Sequence, residues 1–110
     1  DAIGAWEAAV AAYKRAIELA KEDAGYSVHL AQRYFDNERY YQATGLWQSV
    51  ARLQPMDVQA RLNMARGYVK VGDPPQAVRA YERALQIEPG NPAALQGLQT
   101  VRGRLLRDRS

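Results

Sequence analysis

The chain offers few side chains that could perform covalent chemistry. It contains one histidine, His29, and no cysteine. A histidine activates a cysteine nucleophile only where a thiol is present, and neither a glycine-rich phosphate loop nor paired metal-ligand spacing occurs in the sequence. We therefore expect no enzymatic activity, no metal and no cofactor, and we interpret His29 as a polar residue on a helix face.

Arginine is the second residue type that could do chemistry. The net charge is +3, and the stretch after residue 91 holds one acid, Asp108, and four arginines, Arg102, Arg104, Arg107 and Arg109. Such a cluster could attract nucleic acid or an anionic membrane surface. No aromatic side chains accompany it for base stacking, and cations near a helix C-terminus complement the helix dipole. We expect no nucleic-acid partner, and an anionic surface is the weakest of three binding hypotheses.

Composition indicates that these residues are carried by helices. The 110 residues are 47% hydrophobic and 25% charged, which is typical of one folded domain or a stack of small units. Strong helix formers fill the stretches between the glycines and prolines, and no alternating strand pattern of useful length occurs. Charged residues at helical spacing interrupt the apolar N-terminal stretch. This stretch is predicted to be an amphipathic helix, with no membrane insertion.

One helix pattern occurs three times along the chain. The stretch 77–89, AVRAYERALQIEP, repeats the layout of 43–55, ATGLWQSVARLQP, and 9–21, AVAAYKRAIELAK, lies a further 34 positions back. A second helix pattern alternates with the first, since 26–37 aligns with 60–71 at the same offset. A period of 34 residues containing two helices is typical of the tetratricopeptide repeat.

The chain resembles the tetratricopeptide-repeat family, most clearly over residues 58–91. The family's landmarks stand there as Met64, Ala65, Tyr68, Gly72, Ala77, Tyr81, Ala84 and Pro89. Small residues such as Ala65 and Ala77 allow close helix approach. Gly72 can take the left-handed conformation that ends a helix, and Asp73 can cap the next. In the preceding copy Glu38 replaces this glycine.

The resemblance implies an all-α fold, a right-handed superhelical α-solenoid of antiparallel helix pairs. We expect a single domain over 1–107, followed by a tail at 108–110. Within it, 1–23 is the second helix of an incomplete unit, 24–57 and 58–91 are complete units, and 92–107 is a capping helix. The missing first helix suggests a fragment of a longer protein or a partner that covers the exposed face.

Function is expected in the concave groove, which the first helix of each pair lines in this family. The resemblance implies a module that binds a peptide or helical segment of a partner protein, as an adaptor or assembly scaffold. Amide side chains there could bond a peptide backbone, and basic ones could attract an acidic group. The candidate residues are Val28, His29, Gln32, Phe35, Asp36, Leu62, Asn63, Arg66, Lys70, Gln96 and Thr100, with Val69 beside them.

Some family members hold a carboxylate terminus of chaperones in a basic clamp. Asn63 matches the clamp's asparagine. Val28 and Gln32 stand where lysine and asparagine are wanted, and Ala93 and Gly97 where lysine and arginine are. The clamp is therefore expected to be absent.

Self-association is the alternative function. Trp6, Val10 and Tyr13 lie on the opening helix, which lacks its pairing partner, so they are expected to form an exposed apolar strip that a second copy could cover. A homo-oligomer would result.

The charge-balanced body and the lack of a visible export signal favour the cytoplasm.

Overall fold

The helices stack in chain order along an elongated molecule. The computed structural model describes residues 2–19 and 24–108, with side chains in the first segment from Gly4 to Arg15. These residues form six α-helices and no strand: α1 (Ala2–Leu19), α2 (Ala24–Asp36), α3 (Tyr40–Leu53), α4 (Val58–Val71), α5 (Pro74–Ile87) and α6 (Pro92–Asp108). Each packs against the next, α4 also contacts α6, and the molecule measures 46 × 30 × 18 Å. The fold is an all-α solenoid.

The helices can be compared with the expected units. Helices α2 and α3 fall within 24–57, and α4 and α5 within 58–91. The last helix includes Asp108, which was assigned to the tail. Residues 20–23, at the end of the expected first helix, and residues 109–110 lie outside the described residues.

Alanines let the helices of the stack approach closely. Ala43, Ala65, Ala77 and Ala84 are each 0% exposed. Trp47 and Tyr81 fill the remaining space in the core and are also buried. The small residues thus set the distance between helix axes, and the aromatic rings occupy the wedges between neighbouring pairs.

The turn between α4 and α5 has the structure that its sequence predicts. Gly72 has φ 80° and ends α4 in the left-handed conformation. The carboxylate of Asp73 accepts a hydrogen bond from the backbone N–H of Gln76 at 3.4 Å, and Pro74 begins α5. These confirmed predictions rest on local backbone chemistry: glycine tolerates positive φ, aspartate caps a helix, and proline suits its first turn.

Candidate peptide-binding groove

A groove of about 330 Å³ lies between α4 and α6. Helix α5 contributes Tyr81 to its lining. The complete set of lining residues is Arg66, Val69, Tyr81, Ala93, Gln96, Gly97, Thr100, Val101 and Arg104. We call this surface the α4–α6 groove. It combines two guanidinium groups with a small number of neutral polar groups and apolar walls.

Helix α6 packs closely on the aromatic ring of Tyr81, which lines the groove. A side-chain carbon added at Gly97 would collide with the ring of Tyr81, so the absence of a side chain at this position lets α6 rest on the tyrosine. Tyr81 is otherwise buried in the core. Glycine at position 97 is thus a requirement of the close approach between helix and ring.

The basic groups of the groove lack acidic partners within the described chain. Arg66 donates a hydrogen bond from Nη1 to Oδ1 of Asn63 at 3.2 Å, and that oxygen also accepts from Gln59 at 3.4 Å. Arg104 is exposed on α6. The two guanidinium groups thus carry a positive charge that an acidic ligand could balance.

The hydroxyl group of Tyr81 is sensitive to this charge. Burial raises the pKa of Tyr81 above its ordinary value of 10.0, and the Arg66 guanidinium opposes the rise. Burial disfavours the charged phenolate, whereas a nearby cation favours it. Tyr81 therefore stays protonated at neutral pH and can donate a hydrogen bond.

Three predicted binding residues come together in this groove, and the others lie elsewhere. Arg66, Gln96 and Thr100 line it, as does Val69. Asn63 bonds to Arg66 from the adjacent turn of α4. The expected binding face was more extensive, and its remaining members make contacts within the chain.

The polar candidates on α2 are engaged by neighbouring side chains. Gln32 donates to Oδ1 of Asp36 at 2.8 Å, so each satisfies part of the other's hydrogen-bonding capacity. The ring of His29 stacks on Tyr13 of α1, with 6.4 Å between ring centroids. His29 is thus part of the junction between α1 and α2.

The remaining candidates are three apolar residues, which are partly or fully buried, and the exposed Lys70. Leu62 is 4% exposed and therefore offers almost no surface to a ligand, contrary to the apolar contact expected of it. Val28 and Phe35 are half-buried against the core, and Phe35 meets the ring of Tyr40 edge-on at 5.1 Å. The ammonium group of Lys70 lies 5.8 Å from the centroid of the same tyrosine ring.

The N-terminal aromatic strip is packed within the chain. Trp6, Val10 and Tyr13 are partly buried against the core, and Trp6 meets Tyr34 of α2 edge-on at 5.7 Å. The guanidinium of Arg33 lies 5.5 Å from the Trp6 ring centroid. These side chains are therefore partly buried and not fully exposed as expected, because they pack against the core. Self-association of the chain stays a prediction.

The C-terminal arginines have different surroundings. Arg102 forms an ion pair with Glu82 of α5 at 3.3 Å, Arg104 faces the α4–α6 groove, and Arg107 is exposed in the last turn of α6. Arg109 lies outside the described residues. No described helix is long and apolar enough to cross a membrane, and no three acidic or histidine side chains in the described segments are arranged to hold a metal ion.

Two functional candidates were missed by the sequence interpretation. The sequence pattern indicates Tyr81 only as a landmark of the repeat and Arg104 only as one of the C-terminal arginines. Gly97 was the available signal for Tyr81, because a glycine within a helix often marks close approach by another group. For Arg104 the signal was its spacing, since it lies four and eight residues after Thr100 and Gln96 and so shares their helix face.

A stack of helix pairs in which contacts join neighbouring elements defines the α-solenoid repeat class. Residues 58–101 match the family model described as tetratricopeptide repeat. This part of the chain, from the start of α4 into α6, is therefore tetratricopeptide repeat in sequence. No curated protein matches the chain in sequence.

Solved structures show the same fold over nearly the whole chain. The first TPR domain of Spaghetti (RPAP3), bound to the HSP90 peptide SRMEEVD, is 19% identical, with a TM-score of 0.81 over 94% of this chain and 82% of that one. The second TPR domain of human RPAP3, in complex with the HSP70 peptide SGPTIEEVD, is 23% identical, with a TM-score of 0.79 over 90% and 82%. The Sgt2 TPR domain from Aspergillus fumigatus is 20% identical, with a TM-score of 0.79 over 99% and 74%.

Proposed function

We propose that the chain is a protein–protein interaction module whose α4–α6 groove binds an acidic peptide or helical segment of a partner, as an adaptor or assembly scaffold within a larger protein. The observation that carries this proposal is the placement of Arg66 and Arg104 around one groove, with no acidic side chain in its lining. Structural neighbours of this fold that hold peptides support a peptide as the ligand.

The groove's polar groups have complementary roles in this proposal. Arg66 and Arg104 bind a carboxylate of the peptide through charge-assisted hydrogen bonds. The side-chain amide of Gln96 bonds the peptide backbone, and the half-buried Val69 contacts an apolar side chain. Ala93 and Gly97, at two of the clamp positions, provide no charge. The proposed ligand therefore carries its acidic group opposite Arg66 and Arg104.

A peptide library tests this proposal directly. Random peptides displayed on phage would be selected on the native chain, and the enriched sequences would be synthesised for calorimetry. We expect the enriched peptides to contain aspartate or glutamate. The double variant Arg66→Gln, Arg104→Gln should weaken their binding about tenfold or more, because each lost partner removes a charge-assisted hydrogen bond.

The matched control removes the same charge elsewhere. Arg52 and Arg107 are exposed and lie outside the groove, so Arg52→Gln with Arg107→Gln should leave binding within about twofold. Enriched peptides without acidic residues, or equal binding by the two double variants, would show that the groove does not act in this way.

Self-association is the second candidate. A groove of about 680 Å³ beside α1 is lined in part by Trp6 and Val10, so each keeps some apolar surface that a second copy could bury. Light scattering after size-exclusion chromatography, over a wide range of protein concentrations, measures the mass. A dimer that dissociates in the Val10→Glu variant supports this function, and a monomer at every concentration removes it.

A further inference from the structure

A second pocket, separate from the α4–α6 groove, concentrates arginine between α4 and α5. It has a volume of about 260 Å³. Its lining consists of Arg61, Met64, Tyr68, Gln76, Arg79, Ala80 and Arg83, with no acidic residue among them. We call it the arginine pocket. Three guanidinium groups therefore share a small volume without a balancing negative charge.

The arginines are not required by the repeat fold, as the preceding helix pair demonstrates. At positions 34 residues earlier, the non-arginine members of the lining have close counterparts: Leu30 for Met64, Tyr34 for Tyr68, Gln42 for Gln76 and Leu46 for Ala80. The three arginines instead replace Ser27, Gly45 and Ser49. The apolar, tyrosine and glutamine positions are thus common to both pairs, whereas the three arginines occur in the pair α4–α5 and not in the pair α2–α3.

One guanidinium nitrogen in the pocket is buried without a partner. Nε of Arg61 is inaccessible to solvent and forms no hydrogen bond. A buried donor that loses its water without gaining an acceptor destabilises the folded chain. The other nitrogens of the guanidinium can bind an anion in the pocket, and a shift of the Arg61 side chain toward that anion would give Nε an acceptor. The arrangement therefore favours an anionic ligand.

The remaining donors are also available to such a ligand. Gln48 of α3 donates its amide hydrogen to the Tyr68 hydroxyl oxygen, which leaves the tyrosine proton free to be donated elsewhere. Arg83 donates from Nη1 to Gln86 at 2.9 Å, and a guanidinium has further N–H groups that can bind an anion. Glu82, the acid adjacent to Arg83, bonds Arg102 at 3.3 Å and does not line the pocket.

We propose that the arginine pocket binds a phosphate group, either as free phosphate or on a phosphorylated side chain. A carboxylate carries one negative charge, whereas a phosphate monoester carries between one and two at neutral pH and offers three acceptor oxygens. That charge matches three guanidinium groups better, and arginine forks bind phosphate oxygens in pairs.

Nuclear magnetic resonance provides the first test. Inorganic phosphate would be titrated into the native chain at constant ionic strength, maintained with sodium chloride. We expect saturable shifts of the Arg61 Nε–Hε resonance in the millimolar range. A shift that chloride reproduces at the same ionic strength would overturn the proposal, because it would reflect screening and not a site.

Matched variants provide the second test. Arg61→Gln with Arg79→Gln should weaken phosphate binding about tenfold or more, while Arg52→Gln with Arg107→Gln removes the same charge and should leave it within about twofold. Glutamine retains part of the aliphatic stem of arginine, which limits the loss of packing. Thermal unfolding curves of each variant identify any that fail to fold. Equal weakening by both variants would refute the site.

A phosphoserine peptide and its unphosphorylated form distinguish the two sources of phosphate. Tighter binding of the phosphopeptide than of inorganic phosphate assigns the site to phosphorylated proteins. Binding of inorganic phosphate alone assigns it to the free anion. The absence of saturable binding by all three probes rules out the proposal. The α4–α6 groove is lined by other residues, so this result is independent of the proposed peptide function.

Discussion

The junction between α1 and α2 and the junction between α3 and α4 occupy equivalent places in the repeat but are packed differently. Gly67 of α4 lies so close to α3 that an added side-chain carbon would collide with Thr44. At the equivalent position of α2, 34 residues earlier, stands Arg33, whose guanidinium lies 5.5 Å from the Trp6 ring centroid and 5.9 Å from that of Tyr13. A single position thus distinguishes a tight junction from a wide one.

The two junctions also differ in what lies beside the tyrosine of the following helix. At the first junction a groove of about 680 Å³ beside α1 is lined by Trp6 and Tyr34. At the second junction Gln48 of α3 hydrogen-bonds Tyr68 of α4. A glycine on the facing helix permits close helix approach, whereas an arginine at the same position needs space.

The strongest test of the comparison adds a methyl group at the tight junction. Gly67→Ala should lower the free energy of unfolding by about 1–3 kcal/mol, because the new carbon overlaps Thr44 and must force the helices apart. Urea denaturation measures the loss. The double variant Gly67→Ala, Thr44→Ala should recover part of this loss in stability, because the clash involves both side chains. If the losses of the two single variants simply add in the double variant, this explanation is wrong.

The turns of the two helix pairs provide the next test. Both turns contain the same backbone hydrogen bond, from the N–H of one residue to the C=O five residues earlier. It joins Arg39 to Tyr34 at 2.8 Å and Asp73 to Tyr68 at 2.9 Å. The first turn nevertheless places Glu38 at φ 61°, where the second has Gly72 at 80°. A glutamate in the left-handed region is strained, and glycine is not.

Exchanging these two residues should have opposite effects. We expect Glu38→Gly to stabilise the chain by about 1 kcal/mol and Gly72→Glu to destabilise it by about as much. The double exchange should be nearly neutral if the sites are independent. Thermal and urea unfolding measure all three variants, and a loss of stability in Glu38→Gly would show that the side chain contributes more than its strain costs.

A smaller effect is expected within α3. Gly45 occupies the helix interior, and an added side-chain carbon there meets nothing within 4 Å. Gly45→Ala should therefore stabilise the chain by about 0.5–1 kcal/mol through helix propensity alone. The same substitution thus has opposite signs at Gly45 and Gly67. A destabilised Gly45→Ala variant, measured in the same urea series, would show that propensity does not govern this position.

The smallest effect concerns proton binding by Tyr81. Its pKa is raised in the folded chain, so its contribution to stability is fully present below the unfolded pKa of about 10 and is lost as pH rises through the folded pKa. Tyr81→Phe should remove this part of the loss of stability at alkaline pH. Because Arg66 lowers the pKa of Tyr81, Arg66→Gln should raise it further. Phenolate absorbance during alkaline titration measures the pKa of Tyr81. An unchanged pKa in the Arg66→Gln variant would show that Arg66 is too far from the hydroxyl group to affect it.

The sequence predicted those features that depend on local chemistry or on the repeat. Gly72 and Asp73 have the conformation and the hydrogen bond that their residue types favour. Ala65 and Ala77 are buried as the repeat pattern requires. These predictions needed no knowledge of distances between separate helices.

The binding residues were less predictable because they depend on the tilt and spacing of helices. A helical wheel places Leu62 beside Asn63 on one face, but contacts with the rest of the core bury Leu62 to 4% exposure. The wheel also cannot show that α1 leaves room for Arg33 and turns Trp6 toward α2. The arginine pocket was missed for a related reason, since Arg61 and Arg79 come from two helices whose relative position the periodicity does not specify.

The order of helix contacts has a consequence for how the chain reaches this structure. In the described chain the extensive helix contacts join immediate neighbours, with a smaller contact between α4 and α6, so most contacts join residues that are near one another in sequence. Closing such short loops requires little chain entropy, and folds of this kind form within microseconds to milliseconds. Helix α4 has extensive contacts with α3 and α5 and also contacts α6. The described part of α1 contacts mainly α2, and the guanidinium of Arg39, just before α3, lies 5.8 Å from the Trp6 ring centroid. The helices with the most neighbours, α3 to α5, should therefore form the first folded part of the stack.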